Sequence, residues 1–186
     1  MYRPDTLQLR GTDREAGPRV LVFDIGGQRY ALALAQVREV LPRAGLTQLP
    51  EAPAALIGLL RLRGTLLPVL DLRLRFGVSP AVPRIDQRIV VAWVGQAIMG
   101  LLVDGVDGVL ALRDGAKPGE PGRAGQLVQH VEETPGGAVI LLDTAALAEP
   151  AVTAFLDGVL DANAEAETRP AQVEPAPTGL ASEGTP

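Results

Sequence analysis

The stretch Leu21–Leu41, LVFDIGGQRYALALAQVREVL, decides the fold because a second version of it appears later in the chain. A shift of about 69 positions places Arg19–Leu41 over Arg88–Leu110 without a gap. Both copies contain an apolar run, a glycine-bearing turn, a second apolar run and the pattern V-x-x-V-L. Internal similarity of this kind defines the architecture before any residue is given a role.

A second pair of similar segments follows the first. Gly64–Asp71, GTLLPVLD, resembles Gly136–Asp143, GGAVILLD, and the order of units is the same in both halves. Two copies are too few for a solenoid, which needs several stacked repeats. We therefore predict two small, similarly built subdomains packed together.

The residue types exclude most catalytic sites. The chain has no cysteine, which rules out disulfides, thiolate nucleophiles and cysteine-based metal sites. His130 is the one histidine, and we expect it to be structural; the two serines, Ser79 and Ser182, lie in a proline-flanked loop and near the C-terminus. Asp104 and Asp107 lack the further oxygen ligands of a calcium loop, so they fit turn positions. We expect no catalytic site, no cofactor and no metal.

Hydropathy and charge indicate a cytoplasmic protein that binds neither membranes nor nucleic acid. The N-terminus lacks the apolar core of a signal peptide, and no run reaches the roughly 18 apolar residues of a membrane span. The formal net charge is −5, and the residues from Asp161 onward, with five acids and one base, carry −4 of it. The remainder is almost neutral and offers no field to attract nucleic acid or anionic lipid.

Short strands with glycine turns dominate the predicted elements. In the first copy we expect a strand, a glycine turn and a strand, then a helical turn over Leu34–Leu41 and a helix over Ala54–Leu60. Thr65–Asp71 should be a strand at a sheet edge or bulge, because Pro68 lacks a backbone donor.

The second copy predicts a hairpin of Ile89–Val94 and Ile98–Val103, continued by Val106–Leu112. Two further strands, Leu127–Val131 and Ala138–Asp143, precede a helix that begins at Pro150 with an apolar stripe at helical spacing. The predicted fold is mainly β, built of small antiparallel barrels.

Composition divides the chain into three parts. Residues 1–18 are polar and predict a flexible N-terminal arm, and residues 19–161 form the folded body with its two pseudo-repeated barrel subdomains. Residues 162–186 are rich in Ala, Glu, Pro and Thr, which predicts a disordered acidic tail.

Several phrases together resemble the CheW-like family, the coupling proteins of bacterial chemotaxis arrays. They are LVFDIGGQRYAL, VREVL, the run from TQLPEAP through LIGLLRLRG, LPVLDLRLRFG and GLLVDGVDGVL, and the resemblance spans about Arg19 to Leu160. It implies a fold of two SH3-like five-stranded barrels with short helices, a C-terminal helix and a shared apolar core. It also implies a non-enzymatic adaptor that joins the cytoplasmic tip of chemoreceptors to the regulatory domain of a CheA-type histidine kinase.

The resemblance further implies a receptor-binding groove between the barrels. Carried over position by position, the groove residues are Val37, Glu39, Leu46, Gly58, Arg63, Ile89, Val106 and Val109. Glu39 faces Gly108 in the repeat, so its charge belongs to one copy only, and we predict that it pairs with Arg63. Two plainer interpretations remain open: an ordinary surface ion pair for Glu39 and Arg63, and core packing for the valines.

Two alternatives to the chemotaxis adaptor remain. The family usually has Asn before Leu-Arg-Gly, where this chain has Arg61, and this difference concerns receptor identity more than the fold. An adaptor of a non-flagellar chemosensory system, serving pili or surface behaviour, would use the same barrels. A small β-barrel ligand-binding module would instead need a polar pocket with convergent groups.

Overall fold

The fold is mainly β, as predicted, in a computed structural model that describes residues 17–80, 82–112 and 126–158. The predicted arm up to residue 16, the 113–123 loop and the 162–186 tail lie outside these residues. The strands within them are β1 Arg19–Ile25, β2 Gln28–Ala33, β3 Val37–Pro42, β4 Leu56–Leu62, β5 Thr65–Asp71, β6 Arg88–Val94, β7 Ala97–Val103, β8 Gly105–Ala111, β9 Val128–Thr134 and β10 Gly137–Leu142. Helix α1 covers Leu72–Arg75, 3-10 turns cover Leu34–Gln36 and Thr144–Ala146, and residues 150–158 are helical.

The strands form two sheets of five. Sheet 1 has the order β8-β1-β2-β10-β9, and sheet 2 has the order β3-β6-β7-β5-β4. Neighbouring strands are antiparallel except for the pairs β2–β10 and β5–β7, which are parallel. The prediction of two five-stranded units is confirmed.

The two copies of the repeat exchange their last three strands. Strands β1 to β5 correspond to β6 to β10. If each strand of sheet 1 is replaced by its counterpart in the other copy, the strand order of sheet 2 results. The last three strands of each copy therefore lie in the sheet begun by the other copy: β3 pairs with β6 and β5 with β7, while β8 pairs with β1 and β10 with β2. The prediction that Val106–Leu112 extends the β6–β7 hairpin is wrong, because the chain crosses to sheet 1 at Asp104, whose N–H donates to the Asp24 carbonyl at 3.0 Å.

The core has three parts, and the alternation of side chains along each central strand fills two of them. On β1, Leu21, Phe23 and Ile25 face a cluster shared by both sheets. Val20 and Val22 face a second cluster, which sheet 1 encloses. Strand β6, 69 positions later, likewise alternates between the shared cluster and a third cluster, which sheet 2 encloses. A strand buried on both faces reads as an unbroken apolar run, which explains the sequence of both copies.

The segment predicted as a helical turn over Leu34–Leu41 is a 3-10 turn of three residues followed by strand β3. The spacing V-x-x-V-L resembles a helical stripe, but it arises from a register shift between Val37 and Glu39 in the pairing with β6. An extra residue at such a bulge breaks the two-residue period of a strand. Pairing with β6 therefore overrides the local pattern.

The predicted helix Ala54–Leu60 is also wrong, since β4 covers most of it. Burial alternates along Leu56–Leu60, with every second residue buried, as expected for a strand that has one face in a core. The six apolar residues and one glycine of Ala54–Leu60 fit the period of a helix as well as that of a strand. Pairing with β5 makes the segment a strand.

Strand β5 lies inside sheet 2 rather than at its edge. It pairs with β4 along its length, but with β7 only from Val69 to Asp71. Pro68 stands one residue before this second pairing begins. The missing donor of the proline is therefore tolerated where β5 and β7 diverge, and the predicted edge position is corrected.

Each copy of the repeat ends in an aspartate that caps a short helix. Asp71 Oδ1 accepts from the backbone N–H of Arg73 at 2.8 Å, at the start of α1, and Asp143 Oδ1 accepts from that of Ala145 at 2.9 Å. A carboxylate at this position satisfies N–H groups that have no partner within the helix. The final residue of the similar segments Gly64–Asp71 and Gly136–Asp143 thus ends the strand and starts the helix.

Arg75 of α1 joins the two copies at the C-terminal end of the fold. Its Nε and Nη2 donate to the carbonyls of Leu147 and Ala146 at 2.8 and 2.9 Å, and its Nη1 lies 3.1 Å from the Glu149 carboxylate. These contacts hold the segment that leads into helix 150–158, whose Val152 is fully buried against the shared core.

Candidate partner-binding site

The predicted ion pair between Glu39 and Arg63 is present and bidentate. Arg63 Nη1 donates to Glu39 Oε1 and Nη2 donates to Oε2, both at 2.9 Å. Glu39 belongs to edge strand β3, and Arg63 lies in the turn between β4 and β5, so the pair joins the two outer strands of sheet 2. The Arg63 side chain remains 76% exposed, against 24% for Glu39. The guanidinium can therefore hold Glu39 and still face a partner.

The backbone of Arg63 has an unusual conformation. Its φ is 48° and that of Gly64 is 88°, as in a two-residue hairpin turn with both central residues in the left-handed region. Asn or Gly is the usual choice at the first position, since a longer side chain is disfavoured there. Because β4 replaces the helix predicted over Ala54–Leu60, Arg63 projects from the tip of the β4–β5 hairpin.

Gly58 positions the site through a close backbone approach. It is buried, its φ is 142°, and an added Cβ would lie 2.5 Å from the Thr47 carbonyl oxygen and 3.2 Å from Leu46 Cβ. Beside it, Thr47 and Leu59 exchange backbone hydrogen bonds of 2.9 and 2.8 Å, which join the connection after β3 to β4. Gly58 thus holds Leu46 in place and has no exposed side chain to offer a partner.

Ile89 lies on β6 and is fully buried. Its side chain points into the interior of sheet 2 with Leu60 and Leu67. Leu46 packs partly buried against the same cluster. Ile89 supports the surface from the core and does not line it.

Val37 and Val106 occupy equivalent places at the starts of β3 and β8. Val37 begins β3 and Val106 lies near the start of β8, and both are half-buried and packed against the shared cluster. The plainer interpretation, core packing, describes most of their surface.

Val109 is the exposed apolar member of the predicted set, at 41%. Its equivalent in the repeat is Val40, which is 36% exposed and follows Glu39 on β3. The predicted groove residues do not include Val40. The repeat could have identified it, because Val40 aligns with Val109.

Two grooves open on the surface of the described residues. One, of about 540 Å³, lies between the connection after β3 and the loop before β6, and Leu46, Ile57 and Ile85 are among its lining residues. The other, of about 690 Å³, is largely apolar and opens where β5 and β7 diverge, with Leu66, Pro68 and residues of helix 150–158 in its walls. The first groove touches the predicted site through Leu46.

A rigid turn borders the first groove. The buried Gln87 accepts at its Oε1 from Arg43 Nη1 at 2.6 Å and from the Arg84 N–H at 3.1 Å. Arg84 in turn donates to Asp86, and this hydrogen bond is the main reason that the pKa of the exposed Asp86 carboxyl lies below its ordinary value. The turn of residues 84–87 is therefore fixed by its own contacts.

Residues 19–151 match the CheW-like domain family. The chain belongs to this family. It is 38% identical over 106 residues to a probable chemotaxis protein CheW of Rhizobium etli, covering 57% of this chain and 66% of that protein. It is 33% identical over 87 residues to protein PilI of Pseudomonas aeruginosa, covering 47% and 49%. Each match spans less than two thirds of the relative's length.

The fold is also that of a solved CheW. The scaffolding protein TtCheW from Thermoanaerobacter tengcongensis is similar with a TM-score of 0.64 and 27% identity, covering 73% of this chain and 95% of that one. The predicted SH3-like two-barrel fold is confirmed by this likeness and by the two sheets. Within the part of the chain that the structure describes, no helix is long and apolar enough to cross a membrane, and no cluster of three metal-binding side chains occurs.

Proposed function

We propose that this chain is a non-enzymatic, cytoplasmic adaptor that couples the cytoplasmic tips of chemoreceptors to the regulatory domain of a CheA-type histidine kinase. The observation that carries the proposal is the match to the CheW-like family over residues 19–151. Support comes from relatives described as a chemotaxis protein and as a scaffolding protein.

The receptor surface would centre on the Glu39–Arg63 pair. Leu46 lines the first groove, and Val40 and Val109 are exposed aliphatic side chains on β3 and β8. Aliphatic surface of this kind suits the apolar stripe of a receptor helix. Arg63 adds a cation whose outer face is free for a polar group of the receptor. Gly58 and Ile89 would act indirectly, by holding the connection and the sheet beneath it.

The kinase contact would use sheet edges. Strands β3 and β4 end sheet 2, and β8 and β9 end sheet 1, and such strands carry backbone groups and side chains that a similar barrel can meet. An adaptor with separate receptor and kinase surfaces gains from multivalency, so each contact can be weak while the assembly is stable.

The test is a calorimetric titration of the purified chain with the regulatory domain of a CheA-type kinase from the same organism. Binding with a Kd on the order of micromolar, weakened by a charge on a sheet edge, would support the proposal. A receptor-tip fragment is then titrated into the same protein, with Arg63→Glu as the receptor-site variant. Two folded partners that do not bind at high concentration would overturn the kinase coupling.

A second candidate is an adaptor of a chemosensory system that serves pili. The similarity to protein PilI favours it. Parallel titrations with kinase regulatory domains from both kinds of system would separate the candidates, since the proposed adaptor should bind its own kinase more tightly.

A further inference from the structure

Charge is divided unequally between the two sheets. Residues 37–103, which contain all strands of sheet 2, have eight arginines and four carboxylates, a net charge of +4. The other described residues, 17–36, 104–112 and 126–158, contain sheet 1 and carry two arginines and eight carboxylates, a net charge of −6. The almost neutral body predicted from the sequence is therefore the sum of a basic half and an acidic half.

The first groove lies in the basic half and has a cation with no anionic partner among the described residues. Arg43 and Arg84 both line this groove. Arg84 binds Asp86, whereas the exposed Arg43 donates to the neutral amide oxygen of Gln87. No described carboxylate lies within ion-pair distance of Arg43. Its guanidinium can therefore accept a carboxylate from outside the described residues.

The same groove has an aliphatic wall on a fixed support. Leu46 and Ile57 line it, and so does Ile85, which is 97% exposed. Ile85 stands on the turn that the contacts of Gln87 hold in place, so little conformational entropy remains to be lost when a partner covers it. The groove therefore suits a segment that carries an aliphatic side chain beside a carboxylate.

The C-terminal tail starts close to this groove. Helix 150–158 forms one wall of the second groove, that of about 690 Å³, together with Leu49, and the preceding residue, Gln48, lines the first groove. Twelve residues, 159–170, separate the helix from residue 171. Fully extended they span about 40 Å, which is comparable with the diameter of a domain of this size. The tail can therefore reach the first groove of its own chain.

The chemistry of the tail complements the groove. The residues from Asp161 onward carry a net charge of −4, opposite in sign to the basic half. Among them, residues 171–177 have the sequence AQVEPAP, in which the aliphatic Val173 precedes the carboxylate of Glu174. Each of the two prolines disfavours helical backbone at the residue before it, and this lowers the entropy that an extended segment loses on binding.

We propose that residues 171–177 dock in the first groove of the same chain. Val173 would pack against Ile85, and Glu174 would pair with Arg43. Attachment to the same chain gives such a segment an effective concentration on the order of millimolar, so that even a weak contact is populated.

The docked tail would regulate receptor binding. Leu46 lines the first groove and also belongs to the proposed receptor surface, so a docked tail would cover part of that surface. The tail would then compete with the receptor as an inhibitory element of the same chain. This regulatory consequence rests on the proposed function, whereas the docking itself does not.

The first test locates the tail by nuclear magnetic resonance of the full chain. Because the chain has no cysteine, Ala176→Cys gives a single attachment point for a nitroxide spin label. In nitrogen-15-labelled protein, the nitroxide should broaden the amide signals of Leu46 and Ile85 relative to the same sample after reduction of the label. Sharp signals at the groove, or equal broadening of all exposed amides, would overturn the proposal.

A mixed sample distinguishes the same chain from a second copy. Spin-labelled protein without nitrogen-15 is added to nitrogen-15-labelled protein that carries no spin label. The groove signals should stay sharp, because a tail docked in its own chain does not reach the other copy. Broadening as strong as in the first sample would show that the tail binds a second copy, and it would overturn the intramolecular contact.

Charge reversal tests the assigned ion pair. Glu174→Arg and Arg43→Glu should each reduce the paramagnetic broadening at Leu46 at least about threefold, because like charges then face each other, and the double variant should restore it. The matched controls are Glu183→Arg in the tail and Arg61→Glu, an exposed position of β4 outside the groove. An equal loss with the controls, or a folded double variant without recovery, would rule out this contact.

Receptor affinity tests the regulatory consequence. If the tail is docked in about half to nine-tenths of the molecules, Glu174→Arg should lower the Kd for a receptor-tip fragment about two- to tenfold, because only the undocked fraction binds. Equal affinity of the parent and the variant would overturn the competition. A chain that binds no receptor fragment would contradict the proposed function instead. The resonance measurements contain neither receptor nor kinase, so they test the docking separately.

Discussion

The Cβ position of Gly58 lies 2.5 Å from the carbonyl oxygen of Thr47. Strand β4 and the connection after β3 meet at this point, so Gly58→Ala must displace the connection that carries Leu46. We expect a loss of about 1–3 kcal/mol in the free energy of unfolding, from the clash and the positive φ together. Chemical denaturation measures it. Gly45→Ala is the matched control in the same connection, because no atom lies within 4 Å of its Cβ position. Equal stability of the two variants would contradict this account.

A substitution at Arg63 can separate the effect of backbone strain on stability from the effect of the side chain on receptor binding. Arg63→Gly relieves the left-handed conformation and removes the ion pair with Glu39, two effects of opposite sign, so we expect the free energy of unfolding to change by no more than about 1 kcal/mol. Binding to a receptor-tip fragment should fall about tenfold or more if the guanidinium faces the receptor. Calorimetry of the variant beside the parent protein provides the comparison. Unchanged receptor affinity would reduce the pair to an ordinary surface ion pair.

Val37 and Val109 should respond differently to the same substitution. Val37→Asp places a carboxylate against the shared core and should lower the free energy of unfolding by about 1–3 kcal/mol. Val109→Asp, at a position 41% exposed, should leave stability within about 1 kcal/mol of the parent. Thermal melts of both variants decide the matter. A Val37→Asp protein as stable as the parent would make Val37 a surface residue.

Tyr30 should make the fold sensitive to alkaline pH. Burial, followed by the nearby Asp24 carboxylate, raises the pKa of its phenol above the ordinary value of about 10. The folded state therefore disfavours the phenolate: this contribution to stability is complete below pH about 10 and is lost as pH rises through the folded-state pKa. Melting temperatures measured from pH 8 to about pH 11 should fall more for the parent than for Tyr30→Phe. An equal fall in melting temperature for the parent and Tyr30→Phe would show that Tyr30 does not cause the sensitivity to alkaline pH.

Arg75 should hold the C-terminal helix in place. Arg75→Ala leaves the carbonyls of Ala146 and Leu147 without their donors, at a cost of about 1–3 kcal/mol. Hydrogen exchange in residues 147–156 should accelerate in this variant. Arg75→Lys keeps the charge but not the forked geometry, so it should recover only part of the protection. Exchange rates equal to the parent's would mean that packing of Val152 alone holds the helix.

The repeat made the fold predictable, because two copies of one pattern define the same strands twice. Local spacing misled where a segment was short. Val37–Pro42 and Leu56–Leu62 contain apolar residues that fit a helix and a strand equally, and pairing with distant strands decides their conformation. No local signal reports such pairing.

Within the candidate site, the Glu39–Arg63 ion pair was predicted and the burial of the other residues was not. Glu39 and Arg63 came from the family resemblance, and the repeat added that the charge of Glu39, which faces Gly108, belongs to one copy only. Gly58 lies in an apolar run whose buried face depends on strand register, and the bulge between Leu56 and Gly58 changes that register. Ile89 lies on a strand buried on both faces, where an apolar run does not indicate which residues reach the surface.

The exchange of strands between the two copies suggests an ancestry. A chain with only one copy of the repeat would hold β1 and β2 of one sheet and β3 to β5 of the other, and it could complete neither. Two such chains could complete one another as a domain-swapped dimer. The present protein has the architecture expected of such a dimer after gene duplication and fusion joined its subunits.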